Sequence, residues 1–224
     1  MLVLAVDTAT PAVTAGLVDL EQADPKPQVH TLASRVTVDA RAHNEVLTPQ
    51  ILACLETAGR ARGELDAVVV GIGPGPFTGL RVGMATAAAF GDALGIPVYG
   101  VCSLDAIAAD AWREIDDARA ELLVVTDARR REVYWARYRK SGRIDGPQVC
   151  RPGDLESGDA TAIAGSASHV DFFDLPVLPV ETPSPAGLVS CAAAELLVQA
   201  TPEPLAPLYL RRPDAVERSY QAVR

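Results

Sequence analysis

Apolar and polar positions follow one another along this chain in a pattern that predicts alternating strands and helices. Met1 to Asp7 is an apolar run that ends in an acid. After the turn "TATPAV", Thr14 to Asp19 alternates as an antiparallel neighbour would. Residues 21 to 28 are polar with two prolines and read as a surface loop, and Val29 to Val38 supplies a third strand. Between Arg41 and Ala58 the apolar residues Val46, Leu47, Ile51, Leu52 and Leu55 recur at helical spacing, with Pro49 either kinking the helix or standing in its first turn behind Thr48. A strand at 67–72, the loop "GIGPGPFTGLRVG", a helix at 79–94 and a short strand at Ile96 to Val101 come next. "SLDAIAADAWREI" opens a further helix, with Ser103 as its expected N-cap.

The pattern then begins again. Leu122 to Thr126 is apolar, Asp127 is an acid, a turn follows, and Val133 to Arg139 alternates. "LVVTDARRREVYWARY" echoes "LVLAVDTATPAVTAGLV", a strand that ends in Asp and returns as a hairpin. Two related halves are expected, residues 1–104 and 105–224, with the last segment able to pack back on the first half. Residues 146 to 185 are proline-rich with strand-like pieces at 161–165 and 176–180. An alanine-rich helix is expected over 186–200 and an extended segment at "PLAPLYLRRPDA".

Composition narrows the partners. The 224 residues carry a net charge of −9, and a protein that grips nucleic acid unaided carries the opposite balance. A role on RNA would run through a partner. The local exception is "RRREVYWARYRKSGR" at 129–143, basic and aromatic together, which reads either as an RNA contact or, as favoured, as an ordinary strand with its aromatic residues turned inward. No run of about 18 uncharged apolar residues predicts a membrane span. "MLVLAVDTAT" reads as a buried strand and not a signal peptide. Cys54, Cys102, Cys150 and Cys191 form no CxxC pair, so a cytoplasmic protein with reduced thiols is expected.

The glycine-rich loop lies where a phosphate would sit, between a strand and a helix. It has no Lys-Ser or Lys-Thr for a Walker motif and the wrong glycine spacing for a dinucleotide fold. Pro74 and Pro76 remove two N–H donors and stiffen it, so a rigid turn, with Thr78 capping the helix, is the favoured reading. Gly79, Gly83, Ala87, Gly91 and Gly95 then form a stripe of small residues, which fits close approach of another backbone, either inside this chain or across an interface. Asp7 with Thr8 and Thr10 would hold a hydrated metal and a phosphate, or simply tie down a hairpin. His43 has Leu47 and not histidine four residues on, which argues against a helical metal pair. With three histidines and no GxSxG elbow, no Ser-His-Asp arrangement can be argued.

Taken together, "LAVDTAT", "AHNEVLTPQI", "GPGPFTGLRVG", "IPVYGVCSLDAIA", "TDARRREVYWA" and "LYLRRPDA" resemble the bacterial TsaB family, also called YeaZ, along nearly the whole chain. Pro76 stands where the family's hallmark commonly has serine, and Asn44 where serine is common. The resemblance implies an α/β fold of two RNase H-like lobes of the actin/sugar-kinase-like (ASKHA) superfamily. It also implies a part in forming N6-threonylcarbamoyladenosine beside the anticodon of tRNAs that read A-starting codons. TsaB-like chains are thought to be non-catalytic partners of the paralogue TsaD, which carries the transferase site and an HxxxH metal helix, and the ATPase TsaE joins them. The implied interface is a helical bundle with TsaD, or with a second copy when alone. Leu47, Ile51, Leu55, Gly79, Gly83, Ala87 and Phe90 are its expected residues. No cofactor and no metal are expected, and tRNA is met only through the complex. The competing readings are a nucleotide-dependent kinase or ATPase, with weak ATP or ADP binding at a cleft of Asp7, Thr8, Gly73, Gly75 and Asp127, and a metallopeptidase, which the missing second histidine opposes.

Overall fold

The computed structural model describes residues 1–38 and 43–211, with the side chains of His43 and Asn44 outside that description. Two mixed sheets carry the molecule. The first is built from β1 (Leu2–Asp7), β2 (Ala12–Glu21), β3 (Gln28–Val38), β4 (Ala67–Gly71) and β5 (Val98–Val101) in the order β3-β2-β1-β4-β5. The hairpin-linked strands β1 to β3 are antiparallel, and β4 and β5 join parallel after helical crossovers. The second sheet contains β6 (Leu122–Asp127), β7 (Val133–Arg139), β8 (Gly142–Cys150) and β9 (Ala162–Gly165) in the order β8-β7-β6-β9, here with only the last strand parallel. This is the two-lobed RNase H-like architecture, with mixed sheets flanked by helices.

The strand period of two sorts the apolar residues into layers. Leu2, Leu4 and Val6 of β1 pack on α1 (His43–Ala58) and α2 (Phe77–Leu94), while Val3 and Ala5 face α5 (Pro185–Leu197). Because both faces of β1 are covered, all six of its residues are buried. In the second sheet Leu122 and Val124 face α3 (Ser103–Ala111), and Leu123 and Val125 face the side holding α4 (Ala167–Val170). Helix α3 serves both sheets, since Ala106 joins the first core and Leu104 and Ile107 the second.

Several local expectations change. Helix α2 begins at Phe77 behind Pro76, which contributes no capping side chain, so Thr78 lies inside the first turn and is not the cap. Ser103 is likewise the first helical residue of α3, behind Cys102, and its hydroxyl is committed elsewhere. Pro49 sits in the interior of α1. Strand β8 is unforeseen, because its sequence GRIDGPQVC, with no residue fully buried, shows no alternation. The 176–180 piece forms no strand of its own. It lies beside β9 through a single bridge, Ile163 to Val177, and bonds such as Leu178 N–H to Ile163 O at 2.8 Å.

Candidate functional site

The hallmark loop joins β4 to α2 and is held from three sides. Ile72 N–H donates to Val101 O at 2.8 Å, Gly73 O accepts from Ser103 N–H at 2.8 Å, and Ile72 O accepts from Leu208 N–H at 2.8 Å. Beneath it lies the β1–β2 turn. A Cβ on Gly75 would stand 2.1 Å from Ala9 O, and one on Gly71 would stand 1.8 Å from Asp7 Oδ2. Gly75 therefore lets loop and turn touch backbone against backbone, and Gly71 leaves room for the Asp7 carboxylate. The contact uses up the groups that a ligand would need. Asp7 is fully buried, with Oδ2 accepting from Ser103 Oγ at 2.5 Å and Oδ1 from Ala9 N–H at 3.0 Å. Thr8 Oγ1 donates to Gly79 O at 2.7 Å and accepts from Gly83 N–H at 3.0 Å.

The five residues named for a nucleotide cleft are thus not brought to one cavity. Asp7 and Thr8 are enclosed, and Gly73 lies against Leu80. Gly75 borders a cleft of about 280 Å³ with Arg129, Tyr209 and Arg211. Asp127 borders a separate one of about 260 Å³ with Ser166 and Glu181. The Asp127 carboxylate is engaged by Arg129 at 3.2 Å and His169 at 3.6 Å. Ser168 Oγ lies 2.9 Å from His169 Nδ1, so a serine, a histidine and an aspartate do meet here, which adjacent numbering could not show. The 3.6 Å gap between base and acid exceeds hydrogen-bond reach, and Arg129 competes for the same acid, so the trio is not a relay.

The expected interface residues also need correction. Leu47, Ile51, Leu55, Gly79, Gly83 and Ala87 are buried within this chain, and only Phe90 is half-exposed. The glycine stripe faces inward. A Cβ on Gly83 would meet Thr8 Oγ1 at 2.4 Å, and one on Gly91 would meet Val98 Cγ2 at 2.2 Å. Close backbone approach is real here, but the neighbour is the chain's own first sheet. The opposite face of the two adjoining helices is the open one. Leu52 is 46% exposed and Phe77 42%, and Pro49, Ala85 and Ala89 are exposed with them. A groove of about 420 Å³ along α2 is lined by Phe77, Thr78, Arg81, Val82, Ala85 and Thr86. Arg81 and Asp92 are the only charged residues of α2. The Arg81 guanidinium lies 3.6 Å from the centre of the Phe77 ring, which also stacks on Tyr209 at 5.2 Å.

The basic–aromatic segment divides cleanly. Tyr134, Trp135 and Tyr138 are buried. Arg137, Arg139 and Arg143 are paired with Asp145, Glu121 and Asp105. Burial raises the Tyr138 hydroxyl above its ordinary range, and that hydroxyl donates to Asp105 at 2.8 Å. Burial also pushes the Cys102 thiol up to about 12, which leaves it protonated and unreactive near neutrality. Among the described residues, no group of three or more His, Cys, Asp or Glu is placed to hold a metal ion. His43 opens α1, but its side chain lies outside the described residues, and Leu47 at i+4 points into the core. No helix among the described residues is long and apolar enough to cross a membrane.

Comparison with known proteins agrees with this architecture. The family described as "TsaD: tRNA N6-adenosine threonylcarbamoyltransferase" matches residues 31–207. An uncharacterized protein of Mycobacterium leprae is 58% identical over 96% of this chain, which spans only 56% of that relative's length. The tRNA threonylcarbamoyladenosine biosynthesis protein TsaB of Haemophilus influenzae is 29% identical over 93% of this chain and 92% of its own. The solved structure of YeaZ from Pseudomonas aeruginosa superposes with a TM-score of 0.74 at 26% identity, covering 93% of this chain and 99% of that one.

Proposed function

Since the chain belongs to the TsaB (YeaZ) family, within the wider group that includes TsaD, we propose that it is a non-catalytic subunit in the formation of N6-threonylcarbamoyladenosine in tRNA. It docks on a TsaD-like catalytic paralogue through the outer face of α1 and α2, and a TsaE-like ATPase joins the assembly. The same face pairs two copies when the chain is alone. The work is cytoplasmic, needs no cofactor or metal in this subunit, and reaches tRNA through the complex.

The observation that carries this reading is the apolar outer surface of the helix pair, running from Pro49 and Leu52 to Phe77, Ala85 and Ala89. A patch with so few charges is the kind of surface that proteins cover. The enclosure of Asp7 under the loop supports the non-catalytic half, because a carboxylate already bonded to Ser103 and Ala9 is withdrawn from substrate. Size-exclusion chromatography with light scattering, on this chain mixed with the TsaD-like protein of the same cell, tests the reading. A one-to-one complex is expected, and Ala85→Arg should abolish it while leaving the melting temperature within about 2 °C, as exposed substitutions generally do. No association at micromolar concentration with the ATPase and ATP present would defeat the proposal.

A further inference from the structure

A cleft of about 480 Å³ opens at the end of the first sheet away from the hallmark loop, where β2 runs out into the β2–β3 connection. Three cations reach it from separate parts of the chain. Lys26 comes from the β2–β3 loop, Arg113 from the single turn Trp112–Glu114 that follows α3, and Lys140 from the β7–β8 turn. Its walls include Val29, Ala193 and the half-buried indole of Trp112. Lys26 and Lys140 are exposed and have no hydrogen bond or ion pair among the described residues. Arg113 stands 3.9 Å from Asp110, beyond hydrogen-bond reach, and that carboxylate already accepts from Ser184 N–H and Ser184 Oγ. Like charges brought together repel, and no described carboxylate lines the cleft to offset them, in a chain whose overall charge is −9.

We infer that this cleft binds a small molecule that joins a di- or triphosphate to a planar ring, with the phosphates on Lys26, Lys140 and Arg113 and the ring against Trp112. Lysine meets phosphate as a point charge and arginine as a two-pronged fork, while an indole offers a flat apolar face. The volume is that of a small-ligand pocket. A long polyanion would have to extend beyond the cleft over a protein of opposite preference, since the chain is acidic as a whole. None of the large apolar side chains exposed among the described residues lines the cleft, so it lacks the surface that a docked protein covers. It shares no residue with the nucleotide cleft expected around Asp7 and Asp127. Val29 and Ala193 belong to the core on the α5 side of the first sheet, the face opposite α1 and α2. A ligand here and a partner on the outer face of α1 and α2 would not compete, so the inference stands apart from the proposed function.

The test uses the full chain by itself, with ADP and pyrophosphate as the probes, in about 50 mM salt where screening is weak. Amide NMR signals from 26–29, 109–113, 139–141 and 190–193 should move as ADP is added. Calorimetry then gives the affinities. The double substitution Lys26→Gln, Lys140→Gln, at two exposed positions, should weaken both probes about tenfold. Arg62→Gln with Arg151→Gln removes the same charge at exposed positions outside the cleft and should leave both affinities unchanged. Trp112→Leu should weaken ADP about tenfold, as loss of one ring-on-ring contact does, and leave pyrophosphate as it was. Movement centred on 127–131, no binding at millimolar ADP, or equal weakening by the two double variants would overturn the inference. So would pyrophosphate binding as tightly as ADP, because the ring would then find no place on Trp112. Failure to find the TsaD-like complex by light scattering would leave these readings intact and count against the proposed function alone.

Discussion

The two sheets each end their first strand in aspartate and turn back as a hairpin, yet the two turns meet opposite fates. Both aspartates make the same local bond, Asp7 Oδ1 to Ala9 N–H at 3.0 Å and Asp127 Oδ1 to Arg129 N–H at 2.7 Å. In the first sheet the long loop from β4 to α2 comes down over the turn, and Asp7 disappears beneath it. In the second the matching connection from β9 is short, leads only into the four-residue α4, and leaves the turn in solvent. Sequence reflects the difference. The covered turn is Thr-Ala-Thr, and the uncovered one is three arginines. The aspartate is thus a device for closing a hairpin in both halves, and what covers the hairpin decides whether the region becomes core or surface.

The sharpest way to break the comparison is to force the covering loop away. Gly75→Ala would drive a methyl into Ala9 O, a backbone atom that cannot swing aside. We expect a loss of about 3 kcal/mol or more, seen in denaturant melts, from overpacking where nothing gives. Gly165→Ala in the second sheet, where a Cβ would stand 1.8 Å from Val125 O at a φ of 122°, should be as damaging, since β9 is tightly paired even though the turn is open. A mild effect at Gly75 would mean that the loop floats over the turn and that Asp7 is accessible after all. Gly83→Arg belongs in the same class, because its side chain would strike Thr8 inside the chain and report on folding before any interface.

The aspartates themselves come next. Asp7→Asn leaves a buried site bonded to Ser103 without its charge-assisted partner and should cost about 2 kcal/mol. Asp127→Asn removes pairs with the exposed Arg129 and with His169 and should cost no more than about 1 kcal/mol. Equal costs in urea titration would erase the distinction between the two turns. Much of this architecture was legible in the sequence. The repeated strand–Asp–hairpin motif and the helical spacing of Val46, Leu47, Ile51 and Leu55 were enough to predict most strands of the two sheets and the helix between β3 and β4. The facing of α1 and α2 was not. Leu52, Val82 and Ala85 make the outer surface as apolar as the inner one, so periodicity could not say which side was buried. Small residues at i and i+4 signal close approach without naming the neighbour, and here Thr8 and Val98 fill the role assigned to a partner. Strand β8 and the Asp7–Ser103 bond depend on contacts between distant segments, to which hydropathy patterning is blind.

A third carboxylate separates burial from pairing. Asp110 on α3 accepts from Ser184 N–H at 2.9 Å and Ser184 Oγ at 2.8 Å, where α5 begins against α3. Desolvation dominates over these bonds and over Arg113, so its carboxyl titrates above the ordinary range. With the folded value above the unfolded one, the unfolded chain loses this proton first. Stability is therefore given up as pH rises from about 4 through the folded value. Asp110→Asn removes that dependence. The melting temperature of the variant relative to the parent should rise steadily between pH 4 and 7. A constant difference would show that Ser184 fully compensates burial.

The smallest effect sits on the uncovered turn. Three consecutive arginines at positive φ are a conformational burden on an exposed turn. Arg131→Asn replaces a side chain that avoids this region with one that tolerates it, at an exposed position with no bond to lose among the described residues. A gain of about 0.5 kcal/mol in the urea midpoint is expected, with no change in slope. The same substitution at Arg62, which lies outside any positive-φ turn, should give nothing. If the gain appears, the chain carries a less stable turn than it needs. If it does not, the three arginines sit there without strain, and the turn is only the exposed counterpart of the one that α2 buries.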